Sequence, residues 1–90
     1  GIVEVGAQLK TNLYPNPNDG KFTLEIETSV AGNYIIEVLN VLGQIIYSEK
    51  NVAILKQTTK DIDLSHLTKG IYYIRVHDNN QQQVKKIVIN

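Results

Sequence analysis

The stretch from Asp61 to Val76, D-I-D-L-S-H-L-T-K-G-I-Y-Y-I-R-V, constrains the fold more than any other part of this 90-residue sequence. In its second half, every other residue is apolar: Tyr72, Ile74 and Val76. This period of two is typical of a strand with one face buried. The first half alternates in the same way, so the stretch predicts two strands joined by a short loop.

Two residues between these strands have predicted structural roles. The side chain of Leu67, in the loop, can pack into the core. Gly70 begins the second strand, and a residue without a Cβ lets the chain turn sharply and lets a neighbouring backbone or ring approach closely. We therefore expect a tight corner at this point of the fold.

Strand-like segments recur along the chain and are separated by residues that favour turns. We predict strands over residues 9–14, 21–27, 34–40, 44–48, 58–64, 70–77 and 83–89. The first is an edge strand, and residues 50–57 form another edge strand or a wide connection. The predicted turns are 15–20, 31–33, 40–44 with Gly43 at positive φ, and 78–80. Short strands with turns every roughly 8 to 12 residues predict an all-β antiparallel sandwich.

The length predicts one domain, which we place at residues 9–90, with residues 1–8 as a linker or N-terminal arm. The chain starts with Gly1 rather than Met, which suggests a piece of a longer protein. Its first residues do not have the regions of a secretory signal, and no apolar run reaches the length of about 18 residues that indicates a transmembrane helix. Because the arm could pair with another copy, we expect a monomer or an arm-exchanged dimer.

The charge balance argues against a nucleic-acid partner. Nine basic and nine acidic residues cancel, whereas binding to a phosphate backbone draws on clustered Lys and Arg. The sequence has no Cys, which excludes disulfides, thiolate metal sites and a thiol nucleophile.

Two side-chain groups invite a chemical interpretation. Asp63, Ser65 and His66 are the residue types of a catalytic triad, but they follow one another in a predicted turn, where turn hydrogen bonds are the better explanation. Asp19 and Asp61 could join Asp63 at a cation, although their register does not fit a calcium loop. His66 and His77 do not have partners at zinc-ligand spacing. We predict no enzyme, cofactor or metal site.

Most of the aromatic side chains are expected in the core: Phe22, Tyr34, Tyr47 and Tyr72. Tyr73 lies on the opposite face from Tyr72 and could form an exposed patch with Ile71, where a partner could bind. The last strand, K-K-I-V-I over residues 85–89, fits either an ordinary edge strand or one presented for strand addition.

Five short motifs in one order carry a family resemblance. They are Tyr14-Pro15-Asn16-Pro17 with Gly20, Asn40 with Gly43-Gln44, Ile62-Asp63-Leu64-Ser65 with Leu67, Gly70-Ile71-Tyr72, and Lys86-Ile87-Val88-Ile89. From about Leu13 to Asn90 the chain resembles the type A C-terminal sorting domain of the type IX (Por) secretion system of Bacteroidota. One departure is Asn90, where many members of the family end with a basic residue.

The resemblance implies an immunoglobulin-like β-sandwich of about seven strands. It implies that the domain is appended to an N-terminal cargo domain with its own signal peptide. The partners would be the type IX translocon, an outer-membrane shuttle protein and a sortase that commonly removes the domain. The cargo would then be secreted or held at the cell surface.

The resemblance also implies candidate recognition residues: Gly70, Tyr72, Lys86, Ile87, Val88 and Ile89. For Gly70 and Tyr72 a wholly structural role is an equal alternative. The alternative function is an immunoglobulin-like module that binds carbohydrate or protein through Ile71, Tyr73 and Arg75.

Overall fold

The structure is a computed structural model that describes residues 9–90. All regular elements in this range are strands: β1 (Leu9–Tyr14), β2 (Lys21–Thr28), β3 (Gly32–Leu39), β4 (Ile45–Ile54), β5 (Gln57–Asp63), β6 (Gly70–His77) and β7 (Gln82–Ile89). The all-β prediction is therefore confirmed. The predicted N-terminal arm, residues 1–8, lies outside the described residues.

The strands form two antiparallel sheets that enclose one core. Strands β1-β2-β5 form the smaller sheet, and β4-β3-β6-β7 form the larger sheet. The order of the larger sheet corresponds to the C′-C-F-G sheet of immunoglobulin-type sandwiches. The sandwich that the sequence pattern and the resemblance predict is confirmed.

Alternate residues of the strands supply the core, as their period of two predicts. Three apolar residues of β2 are buried, and so are three each of β3 and β6: Phe22, Leu24, Ile26, Tyr34, Ile36, Val38, Tyr72, Ile74 and Val76. Leu67 is partly buried against this core from the β5–β6 loop, which confirms its predicted role.

Strand β4 differs from the prediction. The sequence predicts separate segments at residues 44–48 and 50–57, but Ile45–Ile54 is one ten-residue strand. Two register shifts against β3 each place an extra β4 residue in the ladder, and Asn51 has a φ of 57°. Such bulges interrupt the alternation on which the prediction rested. Tyr47 pairs with Val38 on the core face, but it lies on the edge strand of the larger sheet and is only partly buried.

Two predicted details of the turns need correction. Strand β3 begins at Gly32, so the turn before it lies at Ser29 and Val30 rather than at residues 31–33. At Gly70, φ is positive at 152°, but no heavy atom lies within 4 Å of the position of a Cβ. Gly70 therefore serves the path of the backbone, and the expected close approach does not occur there.

Candidate functional site

The five motifs lie at one end of the sandwich, although they are spread over the whole sequence. The strand registers place Lys21 opposite Asp63, Leu39 opposite Tyr73, and Gly70 opposite Ile89. Because neighbouring strands are antiparallel, these pairs bring five segments together. We call this the motif end, formed by residues 14–20, 40–44, 62–67, 70–72 and 86–89.

The other connections lie at the opposite end. They are residues 29–31, 55–56 and 78–81. Strand β1 also starts there, since Leu9 pairs with Thr28 at the end of β2. The described chain thus enters the sandwich at the end that holds none of the five motifs.

The corner between β1 and β2, residues 15–20, contacts the outer edge of β7. The side-chain amide of Asn16 donates to the Lys86 carbonyl at 2.8 Å and accepts from the Val88 N–H at 3.0 Å. The Asn18 backbone N–H donates to the Val88 carbonyl, and the Asn90 N–H donates to the Asn18 carbonyl, both at 2.9 Å. The edge of β7 over residues 86–90 is therefore paired.

The same corner contacts the β5–β6 loop through Gly20. The Gly20 carbonyl accepts a 2.7 Å hydrogen bond from the Leu64 N–H. A Cβ on Gly20 would lie 2.5 Å from the Ser65 Cα, and φ at Gly20 is +104°. The close backbone approach that the sequence suggested for Gly70 occurs instead at Gly20.

The Asp63-Ser65-His66 group builds a turn. The Asp63 carboxylate accepts hydrogen bonds from the Ser65 hydroxyl at 2.6 Å and from the Ser65 N–H at 2.9 Å. These two bonds hold the pKa of Asp63 below its ordinary value. A catalytic serine instead donates to a histidine, so the turn interpretation is confirmed.

Tyr72 forms the tyrosine corner of an immunoglobulin-like sandwich. Its hydroxyl donates to the Thr68 carbonyl at 2.6 Å, four residues upstream, and its ring is buried. In this fold, a tyrosine near the start of the sixth strand ties the preceding loop to the core in this way. Tyr72 is thus placed as a structural residue of the motif end.

The predicted recognition residues lie on two neighbouring strands, with Gly70 and Tyr72 on β6 and residues 86–89 on β7. Gly70 pairs with Ile89, and Tyr72 pairs with Ile87. The side chains of Tyr72, Ile87 and Ile89 point into the core, where Ile87 is 0% exposed. Lys86 and Val88 alternate with them and lie on the outer face of the sheet, as Tyr73 and Ile71 do on β6. The predicted set therefore divides into an inner and an outer group.

Ile71, the cross-strand neighbour of Val88, lines a groove of about 460 Å³ at the motif end. The lining residues include Val41 and Leu42 of the β3–β4 turn, together with Leu67, Gly70 and Ile71. Leu42 is 80% exposed and Val41 is 68% exposed, which is unusual for apolar side chains in adjacent positions. The sequence analysis missed both residues. The available signal was an apolar pair inside a tight Asn-to-Gly turn, where no strand can bury it.

A charged cluster lies nearer the middle of the same outer face. Glu37 of β3 accepts hydrogen bonds from Arg75 at 2.7 and 3.0 Å and contacts His77 Nε2 at 2.8 Å. Burial alone would raise the pKa of Glu37, but the hydrogen bonds from Arg75 and His77 outweigh it and lower that pKa. The cluster joins β3 to β6.

Within residues 9–90, no three His, Asp or Glu side chains approach closely enough to hold a metal ion. Over the same residues, no helix is long and apolar enough to cross a membrane.

The chain also matches a known protein family. The family model described as a secretion system C-terminal sorting domain matches residues 12–90. This match covers all five segments of the motif end and confirms the resemblance that the motifs indicated. It favours sorting over the carbohydrate- or protein-binding module. No curated protein matches the sequence.

Proposed function

The chain belongs to the family of secretion system C-terminal sorting domains, and we propose that its motif end is the surface that the secretion machinery recognises. The domain is a C-terminal sorting signal of type IX secretion, and it marks a protein for export across the outer membrane to the cell surface or extracellular space. It interacts with the type IX machinery. The proposal concerns which part of the domain makes that contact.

One observation supports the motif end over the rest of the surface. All five motifs meet there, whereas β1 starts at the opposite end. An N-terminal cargo domain would join the sandwich through that opposite end. The motif end would then face away from the cargo and stay accessible to a partner, whatever the cargo's shape.

The residues of the motif end have two different roles in this proposal. Lys86 and Val88 contact the machinery together with Ile71, because their side chains lie on the outer face. Tyr72, Ile87 and Ile89 act through the shape of the domain, since their side chains are buried. Gly70 gives the chain the positive φ with which β6 begins.

The domain acts by being bound and has no catalytic role of its own. Its partners in this proposal are the translocon, the outer-membrane shuttle protein and the sortase, in a bacterium of the Bacteroidota. The sortase cleaves at or before residues 2–10, which precede or begin β1.

A matched pair of variants tests the motif end. Ile71→Glu with Lys86→Glu changes an apolar and a basic residue there, and Leu55→Glu with Lys56→Glu makes the same changes at the opposite end. All four side chains are exposed, so both variants should keep the fold, which thermal unfolding checks. We expect the first variant to lose export of a fused reporter and the second to keep it. Equal export of both would contradict the proposal.

A further inference from the structure

The side chain of Asn16 imitates a peptide group of an extra strand beside β7. The Asn18 N–H donates to the Val88 carbonyl, and the Asn18 carbonyl accepts from the Asn90 N–H. These two bonds flank Ile89 and form the hydrogen-bond pattern of a parallel strand pair. Around Ile87, the Asn16 carboxamide makes the same two bonds, to Lys86 and Val88. The corner thus pairs with β7 at two positions, Ile87 through the side chain of Asn16 and Ile89 through the backbone of Asn18.

The corner is built to hold this carboxamide in place. The Asn18 side chain donates to the Pro15 carbonyl at 3.0 Å and accepts from the Gly20 N–H at 2.8 Å. Asn18 is buried, with 5% of its surface exposed. Pro15 and Pro17 have fixed φ and no N–H, so the backbone on either side of Asn16 cannot itself donate to β7. The side chain of Asn16 supplies the donor that the prolines do not have.

We propose that Asn16 is a positioning residue for the sorting signal: its carboxamide holds residues 86–88 in β7 and so presents Lys86 and Val88 on the outer face. This inference rests on the proposed recognition at the motif end. It follows that the edge of β7 at residues 86–90 is filled by the chain's own corner. A partner therefore contacts the face of this strand, and does not add a strand to its edge.

The two bonds of Asn16 can be separated by mutation. Alanine removes both bonds. Aspartate keeps an acceptor for the Val88 N–H but cannot donate to the Lys86 carbonyl. Asn12→Ala is a matched control, because Asn12 is also exposed and has side-chain hydrogen bonds, but on the smaller sheet.

Amide hydrogen exchange of the 90-residue chain reads the Asn16 contact directly. In Asn16→Ala, the Val88 amide should exchange about tenfold faster, as expected for the loss of one net hydrogen bond. The Ile87 amide should stay protected, because it faces β6 in the antiparallel ladder. In Asn16→Asp and Asn12→Ala, Val88 should keep its protection. Unchanged exchange of Val88 in Asn16→Ala would overturn the inference, and general acceleration that includes Ile87 would also overturn it.

Export of a reporter fused to the same variants tests the consequence for sorting. Asn16→Ala should reduce export, and Asn12→Ala should not. Faster exchange at Val88 with normal export would overturn the role of Asn16 in sorting. If Asn16→Ala reduces export while Ile71→Glu with Lys86→Glu does not, the hold of Asn16 on β7 matters for sorting, but the proposed recognition face fails and so does the presentation of Lys86 on it.

Discussion

Gly20 lies so close to Ser65 that a Cβ at Gly20 would be 2.5 Å from the Ser65 Cα. This contact joins the corner after β1 to the loop between β5 and β6. The same corner bonds β7 through Asn16 and Asn18. One short segment therefore connects the ends of both sheets, and its geometry depends on a residue without a side chain.

Gly20→Ala should destabilise the domain by about 3 kcal/mol or more, because the new Cβ meets backbone atoms that cannot rotate away and φ is positive. Gly43→Ala is the control. Gly43 also has positive φ, but no heavy atom lies within 4 Å of its Cβ position. Gly43→Ala should therefore cost only the strain of an alanine at positive φ, about 1 kcal/mol. Urea unfolding of both variants measures the difference. Equal losses of stability would show that the contact with Ser65 is not tight.

Tyr72→Phe should cost about 1–2 kcal/mol of stability, since it removes the hydrogen bond from the buried ring to the Thr68 carbonyl. Tyr73→Phe is the matched control on the next residue. Its hydroxyl has no hydrogen-bond partner among the residues that the structure describes, and the side chain is 37% exposed. Thermal unfolding should therefore separate the two variants. If Tyr73→Phe were as destabilising as Tyr72→Phe, the tyrosine-corner assignment would be wrong.

Gly70→Val should destabilise by about 1–3 kcal/mol, because a β-branched residue is strained at a φ of 152°. The loss has a backbone origin, as the space for a side chain is open. Gly32→Ala provides the comparison, since Gly32 has equally open space without a positive φ. Chemical denaturation of both variants checks this expectation, which fails if Gly70→Val unfolds at the wild-type midpoint.

The contribution of Glu37 to the free energy of unfolding should depend on pH in the acid range. Folding lowers the pKa of Glu37 from its ordinary value of 4.5. The folded state thus favours the ionised carboxylate, and the resulting stability is present above that value and is lost as pH falls through the lowered pKa. The stability difference between the wild type and Glu37→Gln should therefore shrink from pH 7 to pH 3. A difference that stays constant over this range would contradict the assignment.

The sequence predicted the strands whose alternation is unbroken, and β2 and β6 are the clearest cases. It did not predict the continuous β4, because bulges shift the face to which successive residues point. It identified the Pro-rich corner as a rigid turn but not its bonds to β7. Those bonds join residues about seventy positions apart, such as Asn16 and Lys86, and no local pattern records such a contact.

The candidate site was predicted as a set of motifs rather than as a surface. The family resemblance supplied Gly70, Tyr72 and residues 86–89, and only the strand register shows which side chains are accessible. The exposed pair Val41 and Leu42 was missed, although its place inside a tight turn, where no strand can bury it, was a signal for exposure.

The most direct test of the sorting function uses a reporter with an N-terminal signal peptide fused to residues 1–90 of this chain. Export is measured in a Bacteroidota strain with and without a working type IX system, and a fusion to residues 1–83, which removes Ile87 and Ile89 from the core, is the control. We predict reporter in the medium or on the cell surface only with the full domain and the working system. Reporter held in the periplasm in every case would contradict the assignment.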